Sequence, residues 1–200
     1  MNQFNRKKRQ FKWIGKAAFI AATSFALLSQ PAFVARADQS DPTLEVLFDN
    51  LKELSDPGDV ARITSEIWSR WSTHATNDSL TKRLNRGVIM MNQGDYVHAE
   101  ALFTDIIEDD PLFSEAWNKR ATLYFMTGKL QQSRADIAQT LAIEPRHFGA
   151  LAGLGLVELH LGNDEAALRA YQAAIEINPH MPDVTQIIEQ LQEKLQGLAL

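Results

Sequence analysis

The strongest constraint on the fold is a 34-residue period in the turn-forming residues of the chain. One glycine and one proline recur with this step, at Gly94, Gly128 and Gly162 and at Pro111, Pro145 and Pro179. Two kinds of helix-breaking residue that stay in phase over three units are typical of stacked helix pairs. The period therefore predicts an all-α chain in which antiparallel helix-pair repeats stack into a solenoid.

The spacing inside the units resembles a known family, the tetratricopeptide repeats, whose signature is W-x2-L-G-x2-Y, then A-x3-F, then P. The residues that match are Trp117, Ala121, Tyr124 and Pro145 in the second unit and Leu154, Gly155 and Pro179 in the third. The residues that depart from the signature are Arg83 and Arg86 in the first unit, Arg120 in the second, and Leu151 and Glu158 in the third. The resemblance implies a right-handed α-solenoid that presents a binding surface, and it implies no particular activity.

The period divides the C-terminal part of the chain into repeats and one further helix. The three repeats are predicted at residues 80–113, 114–147 and 148–181, and together they make up residues 80–181. Residues 182–200 are predicted to form a C-terminal capping helix, because their apolar residues return every three or four positions. A coiled-coil dimerisation helix is the alternative for this last segment.

A divergent helical hairpin is predicted in front of the repeats. Residues 38–79 contain a short polar linker and then two amphipathic segments that are separated by turn-forming residues at 55–58. Gly58 takes the place of the turn glycine, but its distance to Gly94 breaks the period and no proline closes the unit. We expect the hairpin to be a divergent first repeat or a cap at the N-terminal end of the stack, where one face has no neighbour.

Residues 1–37 have the layout of a secretory signal peptide of bacterial type. A basic head at residues 6–12 precedes an apolar stretch at residues 17–28, and Ala35 and Ala37 supply the small residues that a signal peptidase reads. We predict that the protein is exported to the periplasm and cleaved after Ala37. The alternative is an uncleaved segment that tethers the protein to the inner membrane, although the apolar run is shorter than the roughly 20 residues of a membrane span.

The net charge of the chain depends on whether this signal is present. The full chain has a net charge of −5. The first 37 residues hold seven Lys or Arg and no Asp or Glu, so the rest carries 13 bases against 25 acids, a net charge of −12. Such an acidic surface repels phosphate backbones and anionic headgroups. We therefore predict no nucleic-acid partner, and no membrane contact unless the signal stays attached.

No pattern in the sequence indicates catalysis, a metal or a cofactor. Cysteine is absent, which excludes disulfides and cysteine-based nucleophiles or metal sites. The five histidines have no metal-binding spacing, and we expect them at the surface or packed between repeats. Phosphate-binding glycine loops and the G-x-S-x-G motif of hydrolases are also missing. We predict that the protein is not an enzyme.

The resemblance implies that a partner binds in a concave groove, which the first helix of each pair lines. When the groove positions of the family are transferred to each of the three units, they fall on twelve residues: Leu84, Asn85, Val88, Met91, Asn118, Lys119, Thr122, Phe125, Met126, Leu156, Leu159 and His160. The apolar members suit a peptide or a helix, and the amide and lysine side chains suit hydrogen bonds to an extended backbone.

The predicted function is therefore that of a monomeric, non-catalytic periplasmic scaffold or adaptor that binds another protein or a peptide. Two alternatives stay open at the level of the sequence. One is a chaperone-like binder of apolar or unfolded peptides, and the other is a non-catalytic subunit of an envelope enzyme complex.

Overall fold

The structure is a computed structural model that describes residues 41–198. The predicted signal segment, residues 1–37, lies outside the described residues. Between residues 41 and 198 the chain forms nine helices and no strand, which confirms the all-α class. The helices are α1 (Pro42–Glu53), α2 (Pro57–Ser72), α3 (Asp78–Asn92), α4 (Tyr96–Asp109), α5 (Ser114–Met126), α6 (Leu130–Ile143), α7 (Phe148–His160), α8 (Asp164–Ile177) and α9 (Pro182–Leu198). In this part of the chain, none of them combines the length and apolar composition needed to cross a membrane.

Helices α3 to α8 pack as three consecutive pairs. The two helices of each pair contact each other along their length, and the second helix of one pair contacts the first helix of the next. Helix α9 continues the stack by packing on α8, where Val184, Ile188 and Leu191 share an apolar cluster with Tyr171. Each pair therefore buries its apolar face against a neighbour, as the repeat pattern requires.

Each pair turns at a glycine whose backbone has the left-handed conformation. Gly94, Gly128 and Gly162 have φ angles of 81°, 73° and 78°, a region that other residues enter at a cost of about 1–2 kcal/mol. After each glycine, the next amide donates to a carbonyl in the last turn of the first helix, at 2.8–2.9 Å. The glycine period thus has a local cause, which is that this residue ends the first helix of every pair.

One departure from the repeat signature preserves a contact between neighbouring repeats. At the first junction, the Tyr124 hydroxyl donates to the Glu100 carboxylate at 3.1 Å. At the second junction, Glu158 stands at the place of Tyr124 and Arg134 stands at the place of Glu100. Arg134 Nε lies 2.7 Å from Glu158 Oε1. The glutamate therefore replaces the tyrosine of the signature without loss of the contact, because its partner has changed with it.

The N-terminal hairpin does not occupy the place expected from the sequence. Helices α1 and α2 form, and the side chains of Asp41 and Asp56 cap them by accepting backbone N–H groups of the first turn. However, the hairpin buries its apolar residues against Phe148 and against residues just before α9, rather than against the free side of α3. The expectation of a first repeat or an N-terminal cap is therefore wrong.

The hairpin instead crosses the loops that join successive helix pairs. At the first junction, His74 Nε2 lies 2.7 Å from Asp110 Oδ2. At the second junction, the Trp71 ring stacks on His147 with centroids 4.0 Å apart. At the third, Met181 packs against the apolar cluster of the hairpin. A helix of 16 residues such as α2 extends about 24 Å, so it can reach several junctions and brace this edge of the stack.

Candidate functional site

Four of the predicted groove residues meet around one small cavity between α5 and α7. Asn118, Thr122 and Phe125 come from α5, and Leu156 comes from α7. The cavity has a volume of about 100 Å³. The rest of its lining is small or apolar and consists of Ala121, Ser133, Ile137, Gly149, Gly153 and Val157. We call it the α5–α7 cavity.

The cavity opens at a partly exposed surface, the α5–α7 groove, which we define by Thr122, Phe125, Met126, Leu156 and His160. Met126 is 49% exposed. The rings of His160 and Phe125 meet edge to face, with centroids 4.9 Å apart. His160 Nδ1 donates to the Leu156 carbonyl oxygen at 2.9 Å, which holds the imidazole against its own helix. The groove therefore presents the aromatic ring of Phe125 and the aliphatic side chain of Leu156 at the cavity, and the exposed Met126 follows Phe125 on α5.

Five predicted residues do not belong to this group. Leu84 and Met91 are buried in the core that α3 shares with α4 and α5, so their assignment to the groove is wrong. They lie on the apolar side of α3, which the neighbouring helices cover. Val88 is half-buried against the same core, and Leu159 packs on the cluster that α8 and α9 share. Asn85 is exposed on α3 and does not line the cavity.

A buried carboxylate engages two of the predicted polar residues, Asn118 and Lys119, at the start of α5. Glu115 is fully buried. Its Oε2 accepts hydrogen bonds from Asn118 Nδ2 at 2.8 Å and from His147 Nε2 at 3.0 Å, and its Oε1 lies 2.8 Å from Lys119 Nζ. Asn118 and Lys119 are therefore engaged by Glu115, and their hydrogen bonding to the backbone of a ligand stays a prediction.

His147 is fixed in one tautomer by its position at the start of α7. Its Nδ1 accepts the Ala150 backbone N–H at 3.1 Å, so Nε2 carries the hydrogen that Glu115 accepts. Burial raises the pKa of Glu115, but the hydrogen bond from His147 and the charge of Lys119 outweigh burial and lower this pKa to about 2. Glu115 is therefore ionised at neutral pH.

Helix α2 covers this end of the groove. The Lys119 ammonium lies over the Trp68 ring, 5.3 Å from its centroid. A Cβ atom at Gly149 would lie 2.5 Å from the Trp68 ring, so a glycine is needed for the indole to approach α7 this closely. The hairpin therefore bounds the groove at the N-terminal ends of α5 and α7.

A larger cleft of about 840 Å³ lies between α2 and the loop before α9. Its lining includes Pro57, Val60, Trp68, Pro179 and Pro182, and none of the twelve predicted residues. The cleft is wide open to solvent, whereas the α5–α7 cavity is lined on three sides by α5, α6 and α7 and is less open. The smaller cavity is therefore the better candidate site, because a ligand is recognised by the groups that surround it.

The buried histidines have structural roles. His74 Nε2 lies 2.7 Å from Asp110 Oδ2, while its Nδ1 accepts the Asn77 backbone N–H at 3.1 Å. His147 plays the same double role toward Glu115 and α7. Among residues 41–198, no group of three His, Asp or Glu side chains is placed to hold a metal ion.

The sequence reasoning missed Glu115, His147, Gly149 and Gly153. Glu115 and His147 become partners only in the fold, because they lie 32 positions apart, at the two ends of the second repeat. Gly149 and Gly153 have no side chain, so they do not contribute to the hydrophobic periodicity of the sequence. A usable signal was their spacing, since Gly149, Gly153 and Leu156 fall on one face of α7.

Comparison with known proteins supports the repeat architecture. Family models of the tetratricopeptide repeat match residues 102–135 and 123–182. A TPR repeat-containing protein of Rhizobium etli is 34% identical to the chain over 161 residues, which cover 77% of this chain and 75% of that protein. The chain belongs to the tetratricopeptide-repeat family. The resemblance seen in its second and third units is thereby confirmed.

Solved tetratricopeptide-repeat structures share the fold of this protein. The first TPR of Spaghetti (RPAP3), bound to the HSP90 peptide SRMEEVD, superposes with a TM-score of 0.56 at 21% identity and covers 58% of this chain and 93% of its own. The Yersinia enterocolitica type III secretion chaperone SycD, in complex with a peptide of the translocator YopD, gives a TM-score of 0.56 at 14% identity, with 61% and 98% covered. At these identities the likeness concerns the fold alone, and it confirms the predicted right-handed solenoid.

Proposed function

We propose that this tetratricopeptide-repeat protein is a non-catalytic scaffold that holds a polypeptide partner in the α5–α7 groove. The observation that carries the proposal is the groove itself, in which the half-buried Phe125 and Leu156 line a cavity and Met126 is exposed. Such a surface of aromatic, thioether and aliphatic groups adapts to the side chains of a peptide or a helix. Because Asn118 and Lys119 are engaged by Glu115, apolar contacts carry most of the recognition.

Two structural relatives support a polypeptide as the class of ligand. The RPAP3 repeat is bound to an HSP90 peptide, and SycD is bound to a peptide of YopD. Both have the same stacked helix pairs as this chain, at low sequence identity. These two relatives support a polypeptide as the class of ligand. Which polypeptide binds depends on the side chains of the groove in this protein.

Site-specific photocrosslinking tests the proposal. A photoreactive amino acid is placed at Met126, which is exposed in the groove, and cells that express the full chain are irradiated. We expect one reproducible polypeptide adduct at Met126, and the same adduct from His160 on α7. Adding Leu156→Glu to the variant with the photoreactive residue at Met126 should abolish the adduct, because a charge in the apolar groove is costly to desolvate.

Ala138 provides the matched control, because it is exposed on α6 and lies outside the groove. A probe at this position should give no adduct with the same polypeptide. Equal capture at Met126 and Ala138, or capture that persists after Leu156→Glu, would reject the groove as the binding site.

We also propose that the protein works in the periplasm after removal of residues 1–37. The support is the basic head, the apolar stretch and the Ala35 and Ala37 pair of the sequence. Mass spectrometry of the protein from a periplasmic fraction should find Asp38 as the first residue. An intact N-terminus in the membrane fraction would instead support the tethered form.

A further inference from the structure

Helix α7 contains three glycines, and packing accounts for only two of them. A Cβ atom at Gly149 would lie 2.5 Å from the Trp68 ring, and one at Gly155 would lie 2.7 Å from the Tyr171 ring. At Gly153 the nearest atom would be Ile137 Cδ1 at 3.8 Å, which is an ordinary van der Waals contact. An alanine therefore fits at Gly153, although it does not fit at the other two positions.

Gly153 consequently lowers the stability of the helix without a reason in the packing. Glycine inside a helix is less stable than alanine by about 0.5–1 kcal/mol. The space that its missing side chain leaves belongs to the α5–α7 cavity. A residue that destabilises its own helix without any gain in packing is expected at functional sites. Glycine is also the residue that lets another chain approach a helix closely.

The lining of the cavity offers hydrocarbon and few free hydrogen-bond donors. Thr122 Oγ1 donates to the Asn118 carbonyl at 2.9 Å, and Ser133 Oγ donates to the Ala121 carbonyl at 2.8 Å. The Asn118 side-chain amide donates to Glu115 at 2.8 Å. The polar groups around the cavity are thus already engaged, so an apolar occupant loses no hydrogen bond there.

The size of the cavity limits the occupant further. Its volume of about 100 Å³ lies between the roughly 10–15 Å³ that a cavity needs to hold one water molecule and the roughly 150 Å³ of an apolar cavity that holds benzene. An aliphatic side chain with four carbons falls in this range, whereas an indole ring is too large.

We infer that the α5–α7 cavity is a subsite for one aliphatic side chain, of the leucine or isoleucine class, on the polypeptide held in the groove. The inference rests on the proposed function and adds a sequence requirement to it. Gly153 is then a specificity-determining residue, because any larger side chain at this position takes the space of the ligand side chain.

A display selection with a defined probe tests this subsite. Twelve-residue random peptides on phage are selected against the full chain, and one selected peptide is synthesised with its shared aliphatic residue and with alanine in its place. We expect the aliphatic peptide to bind the parent protein at least tenfold more tightly than its alanine counterpart. Gly153→Leu should remove this difference in affinity, because the new side chain fills the cavity. The effect of the alanine substitution in the peptide then depends on the residue at position 153 of the protein.

Two control variants separate the subsite from the stability of the fold. Ala138→Leu adds the same side chain on the exposed face of α6 and should leave both affinities unchanged. Gly153→Leu should keep or raise the melting temperature, because leucine forms helices better than glycine. Gly155→Ala should lower it, because the new methyl group would overlap Tyr171.

The failure of the subsite and the failure of the groove give different results. Peptides that compete with crosslinking at Met126, yet bind the Gly153→Leu variant as tightly as the parent, would overturn the subsite and leave the groove in place. A selection that yields no peptide able to compete at Met126 would overturn both proposals.

Discussion

Replacing Trp71 by alanine is expected to lower the free energy of unfolding by about 3–5 kcal/mol. Trp71 is 1% exposed and stands where the hairpin meets the repeats. Its ring stacks on His147 at 4.0 Å and contacts Trp68 and Phe148 at 5.3 and 5.2 Å between centroids. Deleting the indole leaves a void among these rings, which closes only if α2 moves toward α7. Urea denaturation followed by far-ultraviolet circular dichroism measures the loss.

Trp117→Ala is the matched control, because it deletes the same side chain from a half-buried position in the second repeat. The loss of unfolding free energy should be smaller for Trp117→Ala than for Trp71→Ala, because the half-buried indole removes less apolar area from water in the folded chain. Equal unfolding free energies for the two variants would contradict the view that Trp71 anchors the hairpin. A biphasic transition in the Trp71 variant would indicate that the hairpin detaches before the repeats unfold.

The repeat architecture was predictable because the residues that encode it act locally. Gly94, Gly128 and Gly162 each end a helix in a backbone conformation that favours glycine, and this requirement does not depend on the rest of the fold. The closing prolines likewise restrict the residue before them and end the second helix of a pair. A period built from such residues is therefore visible in the sequence before any contact is known.

The position of the hairpin was not predictable in this way. An amphipathic pattern such as that of α2 indicates that one face is buried, but not which surface covers it. Ile67 and Trp71 are buried together with Phe148, a residue of the third repeat. This contact depends on shape complementarity between distant segments, for which the spacing within α1 and α2 carries no signal.

The candidate site was predictable in part for a related reason. Transfer by repeat position assumes that equivalent residues have equivalent surroundings. The assumption holds for Phe125 and Leu156, which line the same cavity. It fails for Leu84 and Met91, whose side chains the neighbouring helices cover. The contribution of Gly153 is a missing side chain, so its role became visible only when the space around it was known.

Replacing Glu115 by alanine is the second change with a large expected effect, a loss of about 3–5 kcal/mol in the free energy of unfolding. The variant removes the acceptor of the His147 and Asn118 hydrogen bonds and the partner of the Lys119 charge. Three polar groups at the buried junction of α5, α7 and α2 then have no counterpart. Glu115→Gln should cost less, because its amide oxygen can still accept from His147. Urea denaturation at neutral pH compares the two variants.

The stabilisation by Glu115 should depend on pH with a definite sign. Burial raises the pKa of Glu115, but the hydrogen bond from His147 and the charge of Lys119 bring it to about 2, below the ordinary value of 4.5. A carboxyl group whose pKa is depressed by folding stabilises the folded chain above its unfolded pKa and loses this effect as the pH falls. The contribution is therefore complete above pH 4.5 and disappears toward pH 2, and a shift of this size corresponds to about 3 kcal/mol.

Glu115→Gln isolates this contribution from the other carboxyl groups, because glutamine keeps the shape of the side chain and does not titrate. The difference in unfolding free energy between the parent and this variant should be constant above pH 4.5 and shrink between pH 4.5 and pH 2. A difference that stays the same across that window would contradict an ionised Glu115 in the folded chain. The Asn118, Lys119 and His147 contacts would then need a protonated carboxyl group, which offers one acceptor fewer to three donors.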